Sequence, residues 1–184
     1  MQERLKGMKN YLSGSMDECP DGGVSWRLDM QDFLWSLGCG VLNPCDKPTM
    51  FALEDVDTRE KIKYLKGEGR YDEVSAIMKD ISSIDLRMVD VADFLILHIN
   101  KDYHMAGSYG EQSTACIQRK PVIVHCEQGK DAVPNWLWGV CNHNVFFSTW
   151  NEVKTYLLHV HQDEEVDDFK RWRFFNNSKI FGIK

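Results

Sequence analysis

The chain has no surplus of basic charge. Its 184 residues carry 22 Lys and Arg against 28 Asp and Glu, and no stripe of Lys or Arg runs along it. Counterion release from a polyanion therefore has little to act through, so no nucleic-acid polymer is expected as a partner, while a single small nucleotide stays open. Long apolar runs are also missing. The longest, 92–99, is interrupted by Asp93 and His98 and falls far short of the about 20 residues a membrane helix needs, so no membrane is expected either. The opening MQERLKGMKN lacks the apolar core of a secretion signal, and a cytoplasmic protein is the expectation. No C-x-x-C occurs among Cys19, Cys39, Cys45, Cys116, Cys126 and Cys141, which read as reduced, mostly buried thiols. There is no G-x-G-x-x-G and no G-K-[ST], so neither a dinucleotide fingerprint nor a P-loop is supported. His98, His104, His125, His143, His159 and His161 are dispersed and form no pair at zinc-ligand spacing.

What is present is an apolar content of 43%, enough for one core in a chain too short to divide comfortably into two domains. Met8–Ser13 reads as a strand running into a loop at Gly14, and Val41–Asn43 as a second, brief strand. Between them, Trp26, Met30, Phe33, Leu34 and Leu37 recur at helical spacing and stop at Gly38. The charge-rich stretch 46–70 reads as an insertion with a helix near Thr58–Lys66, and Tyr71–Asp90 as a long amphipathic helix. Phe94–Ile99, Pro121–His125 and Val145–Phe147 read as buried strands. Helices are expected at Tyr109–Gln118, Asn135–Cys141 and Thr149–Val160. Apolar strands alternating with helices imply parallel pairing through right-handed crossovers. The predicted fold is α/β: a doubly wound, flavodoxin/Rossmann-like five-stranded parallel sheet with helices on both faces. Ligands of such sheets bind beyond the carboxyl ends of the strands, which singles out the loops 14–23, 100–111 and 127–135.

In the first loop, Ser13, Gly14 and Ser15 offer hydroxyls and close backbone approach, and Met16 and Asp17 follow. The same residues also read as an ordinary strand-to-helix connection. In the second, Ala106-Gly-Ser-Tyr-Gly-Glu-Gln112 places Glu111 in the expected first turn of a helix, where unpaired N–H groups favour negative charge. Gly107 and Gly110 would let a substrate approach, with Ser108 between them. A carboxylate so held suits a nucleophile or a group stabilising an oxocarbenium ion; it also reads as a glutamate that only stabilises its own helix. Asp85 is a candidate acid, or a solvated residue on a helix face.

Taken together, Y-L-S-G, S-W-R, V-L-N-P, I-D-L-R-M-V-D-V-A-D-F-L-I, A-G-S-Y-G-E-Q-S-T-A-C-I-Q-R-K-P-V-I-V and N-W-L-W-G-V-C-N-H-N-V-F resemble, in order and spacing, the nucleoside 2-deoxyribosyltransferase family and its nucleotide N-glycosidase relatives. The resemblance covers 1–160, interrupted by the insertion 46–70, and leaves 161–184 as a tail that could dock on its own or a neighbouring subunit. It implies that Glu111 is the nucleophile, that Asp85 contacts the base or assists its departure, and that Tyr11 orients the nucleophile. It also implies that Asn144 enters a neighbouring subunit's site to bind the sugar 5′-hydroxyl, in a homo-oligomer with shared sites. No metal or redox cofactor is called for. One departure is Met105-Ala106, where several transferases carry a further aspartate; Asp102 and His104 are possible substitutes. The readings that follow are 2′-deoxyribosyl transfer between nucleobases, hydrolysis of a nucleoside 5′-monophosphate, and nucleotide binding or sequestration without turnover.

Overall fold

A computed structural model describes residues 3–17, 19–49, 51–162, 170–175, 179–180 and 182. Five strands form one parallel sheet: β1 (Lys9–Gly14), β2 (Gly40–Leu42), β3 (Phe94–Ile99), β4 (Val122–Cys126) and β5 (Phe146–Phe147). Their spatial order is β2-β1-β3-β4-β5. Chain direction thus switches between β1 and β3, and a crevice opens at their carboxyl ends. Six α-helices connect them: α1 (Val24–Ser36), α2 (Val56–Gly67), α3 (Tyr71–Val91), α4 (Ala106–Ile117), α5 (Asn135–Val140) and α6 (Trp150–His161).

Strand alternation divides the core in two. Tyr11, Leu95, Leu97, Ile99, Val122 and Val124 point toward α3, α4 and α5, packing on Met88, Val89, Ala115 and Leu137. Leu12, Phe94, Ile96 and Ile123 point the other way, onto Met30 and Leu34 of α1 and Val153, Leu157 and Val160 of α6. The doubly wound expectation is met. Local chemistry sets the ends of the elements. Asp55 caps α2 by accepting from the Thr58 N–H, and Thr149 and Glu152 form a reciprocal capping box on α6. Gly38, at φ 74°, makes the left-handed turn that ends α1.

Two boundaries differ from expectation. Helix α4 begins at Ala106, three residues before the predicted Tyr109, because Gly107, expected in the preceding loop, is tolerated in its opening turn. Strand β5 is only Phe146–Phe147, since His143–Val145 forms a 3-10 turn in which the Asn142 side chain accepts from the Asn144 N–H. The insertion supplies α2, which packs against α3 rather than the sheet. All six cysteines are free; Cys39, Cys126 and Cys141 are buried and the others partly so. Among the described residues no helix is long and apolar enough to cross a membrane.

The tail docks on its own chain where it is described. Arg171 Nη2 donates to the Val140 carbonyl at 2.7 Å, and Trp172 Nε1 to the Tyr156 hydroxyl at 3.0 Å. The acidic stretch 163–168 and Phe169 lie outside the described residues.

Arg27 is fully buried, an expensive place for a cation unless its donors are matched. Nε donates to the Leu12 carbonyl at 3.2 Å, Nη1 to Gly23 at 2.7 Å and Nη2 to Gly14 at 2.7 Å, tying the end of β1 to the start of α1. Arg27→Met should leave these acceptors short of a donor and cost about 2–4 kcal/mol. Urea unfolding measures it, and an unchanged midpoint would remove the brace from this account.

Candidate active site

At the carboxyl ends of β1 and β3 lies a cleft of ≈ 440 Å³, within the range of small-molecule sites. Glu111 projects into it from α4. Helix α4 starts early, so Glu111 stands in the second turn, beyond reach of the unpaired N–H groups that the first-turn placement relied on. What holds the carboxylate is strand β1. Tyr11 Oη donates to Oε1 at 2.8 Å and Ser13 Oγ to Oε2 at 2.5 Å. Both residues are odd-numbered on β1, so the pleat aims both hydroxyls at α4. Burial pushes the Glu111 carboxyl up, while the Ser13 and Tyr11 bonds and the Arg27 charge pull it back down. Tyr11 is driven well above the usual phenol range, first by burial and then by the Glu111 charge, so it remains a donor.

Asp85 faces the same cleft from α3 and is 7% exposed, which removes the solvated reading. Its carboxyl is pushed up to about 7, chiefly by burial and then by Glu54, against the pull of Lys47. Lys47 Nζ lies 2.8 Å from Asp85 Oδ1 and 2.7 Å from Glu54 Oε1, close enough for ion pairs but off the axis of a regular hydrogen bond. Lys47 and Glu54 carry no motif; in the sequence they sit in the charge-rich insertion 46–70, which reads as a lid over the site without naming the residues that reach it.

The structure brings together Tyr11, Ser13, Gly14, Ser15, Met16, Asp17, Asp85, Gly107, Ser108 and Glu111 around this cleft. Ser15 Oγ is engaged with the His104 carbonyl at 2.8 Å, linking the first two loops. A Cβ on Gly14 would meet Trp26 at 2.8 Å and the His98 carbonyl at 3.2 Å, whereas Gly107 and Gly110 face open space. Of the two proposed stand-ins for the missing aspartate, His104 lines the cleft, whereas Asp102 points to the exposed Gln128 side chain. Asn144 is not brought here. It lies at the far edge of the sheet, in a shallow hollow with Phe146, Phe147, Tyr156 and His159.

Two histidines dispersed in sequence do meet. His98 and His125 are register partners on β3 and β4, their Nδ1 atoms 2.9 Å apart, with His125 stacked on Trp150 at 4.0 Å. Burial lowers them to about 3 and about 4 respectively, so both are neutral at physiological pH. With Glu127 they form the group of described residues able to hold a metal ion, ligand atoms within 4.8 Å of one another. The two rings already hydrogen-bond each other, and they sit on the sheet face opposite Glu111, with the α1 and α6 core.

No family model matches the chain, and no curated protein does. Solved structures do. A 2-deoxyribosyltransferase of Bacillus psychrosaccharolyticus superposes with TM-score 0.53 at 20% identity, over 80% of this chain and 91% of that one. The chain shares that enzyme's fold. A CMP N-glycosidase of Clostridium botulinum superposes with TM-score 0.46 at 16% identity, over 83% of this chain and 98% of that one.

The Glu111 environment makes a signed prediction. Because the Tyr11 and Ser13 bonds stabilise the ionised carboxylate, removing both hydroxyls leaves burial unopposed and raises its pKa. In the Tyr11→Phe, Ser13→Ala double variant, the infrared band of protonated Glu111 should persist to higher pH than in the wild type. A band titrating at the same pH in both proteins would mean that the hydroxyls do not hold the charge.

Proposed function

We propose that the protein breaks and re-forms the N-glycosidic bond of (deoxy)nucleosides through Glu111, as 2′-deoxyribosyl transfer between nucleobases. One observation carries this reading: a carboxylate oriented by two hydroxyls in a nucleoside-sized cleft, facing a second carboxyl that retains its proton near neutrality. The shared fold with a 2-deoxyribosyltransferase supports it.

Glu111 attacks the anomeric carbon as the C–N bond breaks, and the bonding pair leaves with the base. Asp85, protonated, delivers its proton to the departing base, leaving a glycosyl ester on Glu111. A second base attacks the anomeric carbon of that ester, the C–O bond breaks with its electron pair returning to the Glu111 carboxylate, and the base gives up its proton to Asp85, regenerating both groups. Water in place of the base gives hydrolysis instead. Tyr11 and Ser13 keep Glu111 aimed, while Gly14, Ser15, Met16, Asp17, Gly107 and Ser108 form the walls that bind the nucleoside. The protein's own groups account for every proton moved.

Free nucleosides are favoured over 5′-monophosphates by the cleft's charge. The arginine lining it, Arg27, directs its N–H groups at main-chain carbonyls, whereas a phosphate site asks for uncommitted donors. The protein also works as a homo-oligomer, with Asn144 of one subunit completing a neighbour's site. Trp136 on α5, 75% exposed, and Ile117 at the end of α4, 82% exposed, offer the kind of apolar anchors that subunit interfaces use. Mixing inactive Glu111→Ala with inactive Asn144→Ala subunits should restore part of the activity; a fully active monomer by light scattering would refute shared sites.

The central test incubates the protein with a deoxynucleoside and a foreign base, and separately with deoxynucleoside monophosphates. Chromatography should reveal base exchange with the first; hydrolysis of the second would establish the monophosphate glycosidase, and inertness toward both a sequestering protein. Glu111→Ala should lower turnover by about a thousand-fold or more while changing stability by only about 1 kcal/mol. Asp85→Asn should reduce kcat about a hundred-fold with less effect on KM. A soluble Glu111→Ala protein of near-normal activity would exclude the nucleophile assignment.

A further inference from the structure

We propose that Lys47 and Glu54, both from the insertion, are positioning residues that clamp Asp85 from behind and govern the proton it gives to the leaving base. The proposal rests on the reading of Asp85 as acid, and it goes beyond it by placing control of that acid in two residues that do no chemistry themselves.

The geometry is one-sided. The Lys47 side chain is fully buried, while those of Glu54 and Asp85 remain 16% and 10% exposed. Glu54 and Asp85 line the cleft and Lys47 does not. The ammonium thus sits behind the two carboxyls, within 2.8 Å of both, where a substrate cannot reach it. Such a buried lysine costs several kcal/mol of desolvation in the absence of partners, so its presence calls for a role. It cannot bind substrate. What it can do is fix the carboxyls in space and hold their combined charge near neutrality.

The two neighbours push Asp85 in opposite directions. Glu54 adds negative charge and holds the proton on; Lys47 adds positive charge and draws it off. Their balance, on top of burial, leaves the group near neutral, where a general acid is most effective. Other titratable and charged groups also face this region. Tyr11 on β1 feels the Asp85 charge. Glu111 on α4, His104 ahead of it, and Asp17 and Arg27 on the β1–α1 side line the same cleft. None of these is within ion-pair distance of Asp85 as Lys47 is.

The test needs a readout that does not depend on turnover. Aspartate labelled with carbon-13 at the carboxyl gives an NMR titration in which the Asp85 signal is identified by its loss in Asp85→Asn. The wild-type signal should titrate near pH 7. In Glu54→Gln its midpoint should fall, and in Lys47→Met rise, by about one unit or more in each case. In kinetics, the alkaline limb of the kcat profile should move the same way in each variant, with kcat changing more than KM. Midpoints that stay within about 0.3 unit of wild type, against the expected unit or more, would overturn the clamp. So would carboxyl shifts that the kcat profile does not follow. If no form of the protein turns over a nucleoside yet the carboxyl midpoints diverge as described, the clamp stands and the glycosidic reading falls. If Lys47→Met fails to fold by thermal melting, Glu54→Gln, whose side chain is not fully buried, carries the decision alone.

Discussion

The tether between β1 and Glu111 is the interaction on which the site depends. Two hydroxyls on one face of a strand grip a carboxylate 98 and 100 residues away, and each takes one oxygen. That arrangement is available only if β1 is flanked by β3 and if α4 returns over the face carrying Tyr11 and Ser13. The 2-1-3-4-5 order supplies both conditions. Arg27 secures the other side of the same strand, drawing three carbonyls onto one buried guanidinium. Strand β1 is thus pinned from both faces.

The cleft holds two carboxyls with different neighbours. Glu111 accepts from two neutral donors that favour its ionised form, which offsets part of the effect of burial. Asp85 has a carboxylate neighbour and a cation, and burial dominates. Burial raises both carboxyls, and the partners differ: two hydroxyls draw Glu111 back down, whereas Glu54 adds to the rise at Asp85 and Lys47 opposes it. On the opposite sheet face, the stacked His98, His125 and Trp150 form a separate, aromatic assembly.

Much of this was legible in the sequence where periodicity or composition is local. The apolar strands β3 and β4 and the periodic faces of α1 and α3 follow from residue patterns, and the doubly wound sheet follows from their alternation. Tyr11, Ser13, Asp85 and Glu111 were singled out by motif and placement. The physical support of Glu111 differs from the sequence expectation: Gly107 suggests loop, the helix begins earlier, and side-chain hydroxyls take the place of main-chain N–H groups. Lys47 and Glu54 were out of reach, because a charged insertion looks alike whether it is solvated or folded back onto a site. The meeting of His98 and His125 depends on strand register, which pattern alone does not give. Asn144 lies at the sheet edge, away from the cleft of its own chain.

Gly14 and Gly23 have a consequence for how such a protein diverges. A methyl group at Gly14 would run into Trp26 and the His98 carbonyl, and one at Gly23 into the Ser15 carbonyl and the Arg27 guanidinium; Gly23 also sits at φ 71°. These two positions cannot drift, although neither carries any reactive group. The cleft-lining residues around them meet no such packing limit where they face open space, as Gly107 and Gly110 do. Among distant descendants of one ancestor, the spacing between the glycine that ends the first strand and the one that precedes the first helix should therefore outlast the side chains of the cleft as a mark of kinship.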